Sequence, residues 1–219
     1  MKHLQLAYSA GISTVTINRP EVRNAFNDEV ITELTAVFME LGERTEVRCI
    51  VLTGSGPKAF VAGADIAEMS GLTPAEARDF SLRGTRMMRR IEKMPKPVIA
   101  MLNGFALGGG LELATSCHIR VADDSAFFAL PEGSRGIFVG GGGSVRIPKL
   151  IGVARMTDMM LTGRVYNAVE GERIGLAQYL TVKGQAFNKA MELAERIAQN
   201  APLTNYALMH ALPRIAEQP

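Results

Sequence analysis

Three consecutive glycines, Gly108-Gly109-Gly110, run straight into Leu111-Glu112. The segment Asn103-Gly104-Phe105-Ala106-Leu107 leads into them, after an apolar stretch, Pro97-Val98-Ile99-Ala100-Met101. This order reads as a strand over 97–101 and a helix over 111–117, with bare backbone at the junction. Glycines there let a ligand approach the N–H groups closely. Those N–H groups are the unpaired donors of a helix N-terminus, where the helix dipole favours negative charge. Glu112 sits three residues past the middle glycine. An anion site beside a carboxylate suits acyl chemistry, which needs something to hold a developing oxyanion and something to move a proton.

The elements that must position these groups alternate along the chain. Residues 3–8 and 12–17 alternate apolar and polar around Ser9-Ala10-Gly11, the pattern of a hairpin. After the Asn18-Arg19-Pro20 break, Asn27 or Asp28 is placed to cap a helix reaching about residue 41. Its apolar positions Val30, Leu34, Val37, Phe38 and Leu41 have helical spacing. Residues 48–53 form a continuous β-branched run, expected to be a strand buried on both faces. A second glycine site, Val61-Ala62-Gly63-Ala64-Asp65-Ile66, precedes a long helix over 74–93 capped by Thr73. Further strands are expected at 97–101, 118–122, 126–130 and 179–182. Helices are expected at 153–161 and 184–199, after Gly140-Gly141-Gly142-Gly143-Ser144 and after Ala201-Pro202. The chain shows no internal repeat or low-complexity linker, so a single mixed α/β domain is the economical reading.

Bulk composition narrows the function. The 219 residues are 47% hydrophobic and 21% charged, and 24 basic against 22 acidic residues leave a net charge of +2. That balance points neither to nucleic acid nor to a membrane surface. Cys49 and Cys117 lie in apolar contexts and read as buried free thiols of a reducing compartment. Met1-Lys2-His3 runs directly into a strand pattern and no segment has the length to span a bilayer, so a cytoplasmic protein is expected. Gly54-Ser55-Gly56-Pro57-Lys58-Ala59 fits a loose dinucleotide-binding pattern, but an apolar segment follows it instead of a helix. The sequence contains no Gly-Lys-Ser/Thr phosphate loop and no Gly-x-Ser-x-Gly elbow. Its histidines (His3, His118, His210) are scattered, which speaks against a metal site.

Three features are left: Ala62-Gly63-Ala64-Asp65, Gly108-Gly109-Gly110-Leu111-Glu112, and Pro131-Glu132-Gly133. With Asn18-Arg19-Pro20, Ala59-Phe60-Val61 and the glycine run before Arg146-Ile147-Pro148, the chain resembles the enoyl-CoA hydratase/isomerase (crotonase) superfamily from about residue 18 to about residue 203. The resemblance implies an α/β fold, a crotonase-like spiral of repeated ββα units with a helical C-terminal part. It implies a core over 1–200, with 201–219 as the start of a helical region that stops short. It also implies homotrimers or dimers of trimers. The backbone N–H groups of Ala64 and Gly109 are expected to form an oxyanion hole for a CoA thioester. Asp65 is expected to cap a short helix with Glu68 three residues on, leaving the Ala64 amide free.

Glu112 and Glu132 match the family's two catalytic glutamates. Adding water across an activated double bond needs two proton movements, one from water as it attacks C3 and one onto C2. Glu112 is assigned mainly to the water and Glu132 mainly to C2. Val22, Arg23 and Ala25 match the CoA entrance, and Ala62, Gly63, Asp65, Ile66 and Gly108 complete the expected binding residues. No cofactor is expected beyond the coenzyme A carried by the substrate, and no metal.

The pattern also departs from the family. Arg135 stands three residues beyond Glu132, where many hydratases are apolar. It could depress the glutamate's pKa, recognise a polar acyl group or point to solvent. A basic stripe, Arg83, Arg86 and Arg90, lies on one side of the long helix, as a solvated face, a CoA contact or a nucleic-acid contact. Beside hydration of a 2-enoyl-CoA, two other readings stay open: isomerase, lyase or hydrolase chemistry on an unusual acyl-CoA, and a non-catalytic CoA- or RNA-binding protein.

Overall fold

The computed structural model describes residues 1–217. The alternating segment at the N-terminus folds as an antiparallel hairpin of β1 (Leu4–Ser9) and β2 (Ile12–Ile17). β1 is an edge strand with only Leu4 buried. The continuous apolar runs become β3 (Cys49–Gly54) and β5 (Val98–Leu102), both buried along their whole length. β7 (Ile119–Asp123) and β10 (Tyr179–Thr181) complete a six-stranded sheet in the order β1-β2-β3-β5-β7-β10, parallel from β2 onward. Parallel strands covered on both faces need no polar alternation, which is why these stretches read as unbroken apolar runs.

A second sheet sets the site. β4 (Ala59–Val61), β6 (Phe105–Leu107) and β8 (Phe127–Ala129) pair in parallel, and β9 (Tyr166–Asn167) joins β8 antiparallel. Each of the first three follows one strand of the large sheet: β3 leads to β4, β5 to β6, β7 to β8. Helices α2 (Ile66–Met69) and α4 (Gly109–Ser116) follow the first two pairs. The two-strands-and-a-helix repeat therefore stacks the 62–66 turn and the triple-glycine turn side by side. β4, β6, β9 and α7 (Ala168–Ile174) were not legible as elements in the sequence, being two to seven residues long.

Helices wall the repeat. α1 (Asp28–Glu43) is capped by Asn27, whose side chain accepts from the Val30 N–H at 2.9 Å. α3 (Pro74–Glu92) begins with the expected Thr73 cap, reinforced by Glu76 in a capping box. α5 (Gly143–Ile151) and α6 (Val153–Thr162) follow the glycine run, and α8 (Ala186–Gln199) covers the far face of β3 and β5. α9 (Pro202–Ala216) buries only Asn205; Gln218 and Pro219, the end of the expected 201–219 region, lie outside the described residues. Both cysteines are buried and free, and burial pushes each thiol up to about 12. His118 is structural: its Nδ1 accepts from the Val98 N–H at 3.0 Å.

Candidate active site

Two turns bring two backbone donors together. Phe26 forms a parallel bridge with Ala64: the Phe26 N–H donates to the Gly63 carbonyl at 2.8 Å and the Asp65 N–H to the Phe26 carbonyl at 2.7 Å. Amides alternate in direction along an extended segment, so the Ala64 N–H points the other way, and it has no backbone acceptor among the described residues. Gly109 is the first residue of α4, so its N–H has no intrahelical acceptor either. The two meet: a Cβ built on Gly109 would stand 3.8 Å from the Ala64 N. Gly110 fixes this approach, because any side chain on it would overlap the Val61 carbonyl. The expected capping box at α2 is corrected. Asp65 caps α2 through the Ala67 N–H at 3.2 Å, but Glu68 accepts from the Asp28 N–H at 2.8 Å and so ties α2 to α1. The Asp65 amide is already held by Phe26, which leaves nothing there for Glu68 to accept.

Glu112 lies one turn into α4 and is buried, 5% exposed. Its Oε1 accepts from the Gly143 N–H at 2.8 Å. A Cβ on Gly143 would come within 2.7 Å of Glu112 Cγ, and one on Gly141 within 3.0 Å of Oε2. The glycine run is thus a cradle for one carboxylate. Arg146 locks the cradle: it donates to the Gly141 carbonyl at 2.6 Å and pairs with Glu92 at 3.2 Å. Burial raises the pKa of Glu112, while the Gly143 and Gly141 amides and the Arg146 charge pull it back.

Glu132 sits in the helical turn Pro131–Arg135 and is also buried, 6% exposed. Its Oε2 has no hydrogen-bond partner among the described residues, and its Oε1 faces Gly108, whose Cβ would stand 2.7 Å away. Burial pushes its pKa up to about 7, and the nearby Glu112 charge adds to the rise. Of the roles left open for Arg135, two hold together: the guanidinium is exposed to solvent and it lowers the Glu132 pKa, but burial outweighs it.

All four groups line one cavity of about 410 Å³. Ala62, Gly63, Ile66 and Gly108 line it too, as expected, and so does Arg135. Val22, Arg23 and Ala25 do not reach it. Their loop lies alongside, with the Arg23 carbonyl accepting from the Ala62 N–H at 3.1 Å. The Asp65 carboxylate is turned away as well, paired with Arg19 at 3.1 Å. The basic stripe divides: Arg83 pairs with Asp28 at 2.7 Å and borders a separate groove with Arg86, while Arg90 is exposed. Sequence reasoning missed Gly143 and Arg146 as the holders of Glu112, although the run of four glycines was the signal. It also missed Phe26, Ile31 and Phe80 as cavity walls, whereas Met87 and Met88 stand where a methionine patch filling the core or an acyl pocket is expected.

The sequence pattern of the enoyl-CoA hydratase/isomerase family matches residues 7–219. The chain belongs to that family. As a family member it is 43% identical over 192 residues to the short-chain-enoyl-CoA hydratase of Clostridium acetobutylicum, covering 88% of this chain and 74% of that one. It is 41% identical to the crotonyl-CoA hydratase of Syntrophomonas wolfei, over the same shares of both chains. It superposes on the crystal structure of the enoyl-CoA hydratase from Bacillus anthracis with a TM-score of 0.96 at 33% identity, covering 99% of this chain and 84% of that one. The α/β fold is the crotonase spiral expected from the sequence.

Proposed function

We propose that this protein is a hydro-lyase that reversibly adds water to a 2-enoyl-CoA thioester, giving a 3-hydroxyacyl-CoA. The observation that carries the reading is the convergence of two backbone N–H groups, unpartnered among the described residues, and two buried carboxylates on one apolar-walled cavity. The thioester oxygen accepts from Ala64 and Gly109. Each such donor contributes about 2.7–4 kcal/mol to stabilising the enolate-like transition state. Glu112, cradled and polarised toward its ionised form by Gly143, Gly141 and Arg146, takes a proton from water as the oxygen bonds to C3. Glu132, held up near neutrality by burial, delivers a proton to C2. The C2=C3 double bond is consumed, one O–H bond of water is broken, and no redox change occurs. The pair moves two protons, and each carboxylate is reset when the proton passes back through solvent.

Val22, Arg23 and Ala25 border the CoA path outside the cavity in this reading, where Arg23 meets a phosphate as a charge-assisted donor. No metal or further cofactor takes part. The protein works as a homotrimer or dimer of trimers in the cytoplasm. The exposed apolar residues Leu203, Leu208, Leu212 and Ile215 of α9 support an interface, which light scattering on purified protein tests. No helix among the described residues is long and apolar enough to cross a membrane. Loss of the ultraviolet absorbance of the conjugated enoyl thioester in crotonyl-CoA tests the activity itself. Wild-type protein consumes the double bond, and Glu112→Gln slows it about 10²–10⁴-fold with unchanged circular dichroism. A Glu112→Gln protein with wild-type turnover would contradict the assignment.

A further inference from the structure

α3 is 19 residues long and carries a glycine, Gly84, in its interior. Nothing about the fold demands one there. Gly84 has no positive φ, and a Cβ on it would meet a single atom, Ile31 Cδ1, at an ordinary 3.7 Å. A helix-interior glycine weakens a helix relative to alanine, so the position carries a stability cost without a steric reason. What the glycine does is open space. Phe80, Gly84, Met87 and Met88 fall on one face of α3 at helical spacing, and all four line the catalytic cavity.

The cavity lining is uneven: Ile66, Ile137 and Phe138 are exposed, while Phe26, Ile31, Phe80 and Met88 are buried. A coenzyme A moiety carries phosphates and must leave past the exposed lining, because burying unpaired charge is prohibitive. The apolar tail of the acyl group then runs the other way. Met88 lies against the Glu112 cradle, its Sδ 2.7 Å from where a Gly141 Cβ would stand. Gly84, half-buried, is one turn nearer the start of α3, beside buried Ile31.

We propose that Gly84 sets the acyl-length limit of this site. The cavity space along the Gly84 face of α3 takes the acyl carbons beyond C4, so the substrate class is unbranched 2-enoyl-CoAs longer than crotonyl-CoA as well as crotonyl-CoA itself. This rests on the enoyl-CoA hydration reading. The test compares kcat/KM for trans-2-enoyl-CoAs of four, six and eight carbons on wild type, Gly84→Ala and Gly84→Leu, with a thermal melt of each. In Gly84→Leu the ratio of eight-carbon to four-carbon kcat/KM falls at least about tenfold, the scale on which apolar pockets discriminate by size. Gly84→Ala lowers the same ratio less and raises Tm by about 1–4 °C, so stability and long-chain activity move in opposite directions. Crotonyl-CoA turnover with an unmoved length ratio in Gly84→Leu overturns the proposal alone. Wild-type protein that hydrates none of the three overturns the hydration reading, and this one with it.

Discussion

The two glutamates face the same cavity from opposite kinds of support. Glu112 stands on a helix and is gripped: an amide donates to its carboxylate, two glycines are pressed against it, and Arg146 fastens their loop. Glu132 stands in a short turn with Oε2 unpartnered among the described residues, relieved first by its own backbone amide and last by the solvent-facing Arg135. Both are desolvated, so both pKa values rise, but Glu112 is drawn back by two loop amides and a guanidinium, whereas Glu132 has a single hydrogen bond from its own backbone and the added push of the Glu112 charge. The difference teaches how one residue type serves two purposes. Environments that separate the pKa values of a pair assign base to one and acid to the other.

The comparison can be broken most sharply at the cradle. Gly143→Ala puts a methyl 2.7 Å from Glu112 Cγ, so the carboxylate must move or the loop must. A misplacement on the ångström scale costs about 10²-fold in rate. Crotonyl-CoA hydration should fall by about that much with KM little changed, and a wild-type kcat would show the grip to be dispensable.

A stability measurement sharpens the other side. The folded pKa of Glu132, about 7, lies above the unfolded value of 4.5. Its contribution is therefore fully present below about pH 4.5 and is lost as pH rises through 7. Glu132→Gln removes that loss. The variant should match wild type in urea melts near pH 4.5 and exceed it by roughly 1–3 kcal/mol at pH 8. Equal stability at both values would mean that Glu132 ionises freely in the folded protein.

The smallest effect is expected at Arg146, the last-ranked influence on Glu112. Arg146→Met should move the acid limb of the kcat/KM profile slightly to higher pH, because Glu112 loses a nearby positive charge. Restoration by Arg146→Lys of the wild-type limb would separate charge from packing. An unmoved limb in Arg146→Met would confine the arginine to holding the loop.

Much of this pairing was legible before any coordinates. The triple glycine, the 62–66 turn and Glu132 were visible as motifs, and the long strands and helices followed from hydrophobic period. β4, β6 and β9 were not, because strands of two or three residues leave no periodicity to read. The grip on Glu112 was hidden for a different reason. Gly143 and Glu112 are 31 residues apart, and a backbone N–H carries no side-chain identity to betray its role. The same holds for Glu68, whose spacing from Asp65 matched a capping box while its actual partner is the Asp28 amide, 40 residues away. The nearness of Arg135 to Glu132 in sequence does register as a lowering of its pKa, yet desolvation, which sequence proximity cannot register, dominates.

The central claim is that the resting site holds one proton near neutrality and that it resides on Glu132. Carbon-13 NMR of protein labelled at glutamate side-chain carboxyls tests this directly, through a pH titration of wild type and Glu132→Gln. The account predicts one carboxyl resonance titrating near pH 7 in wild type and absent from Glu132→Gln. A wild-type spectrum in which every glutamate carboxyl titrates below about pH 5, the ordinary range, would contradict it.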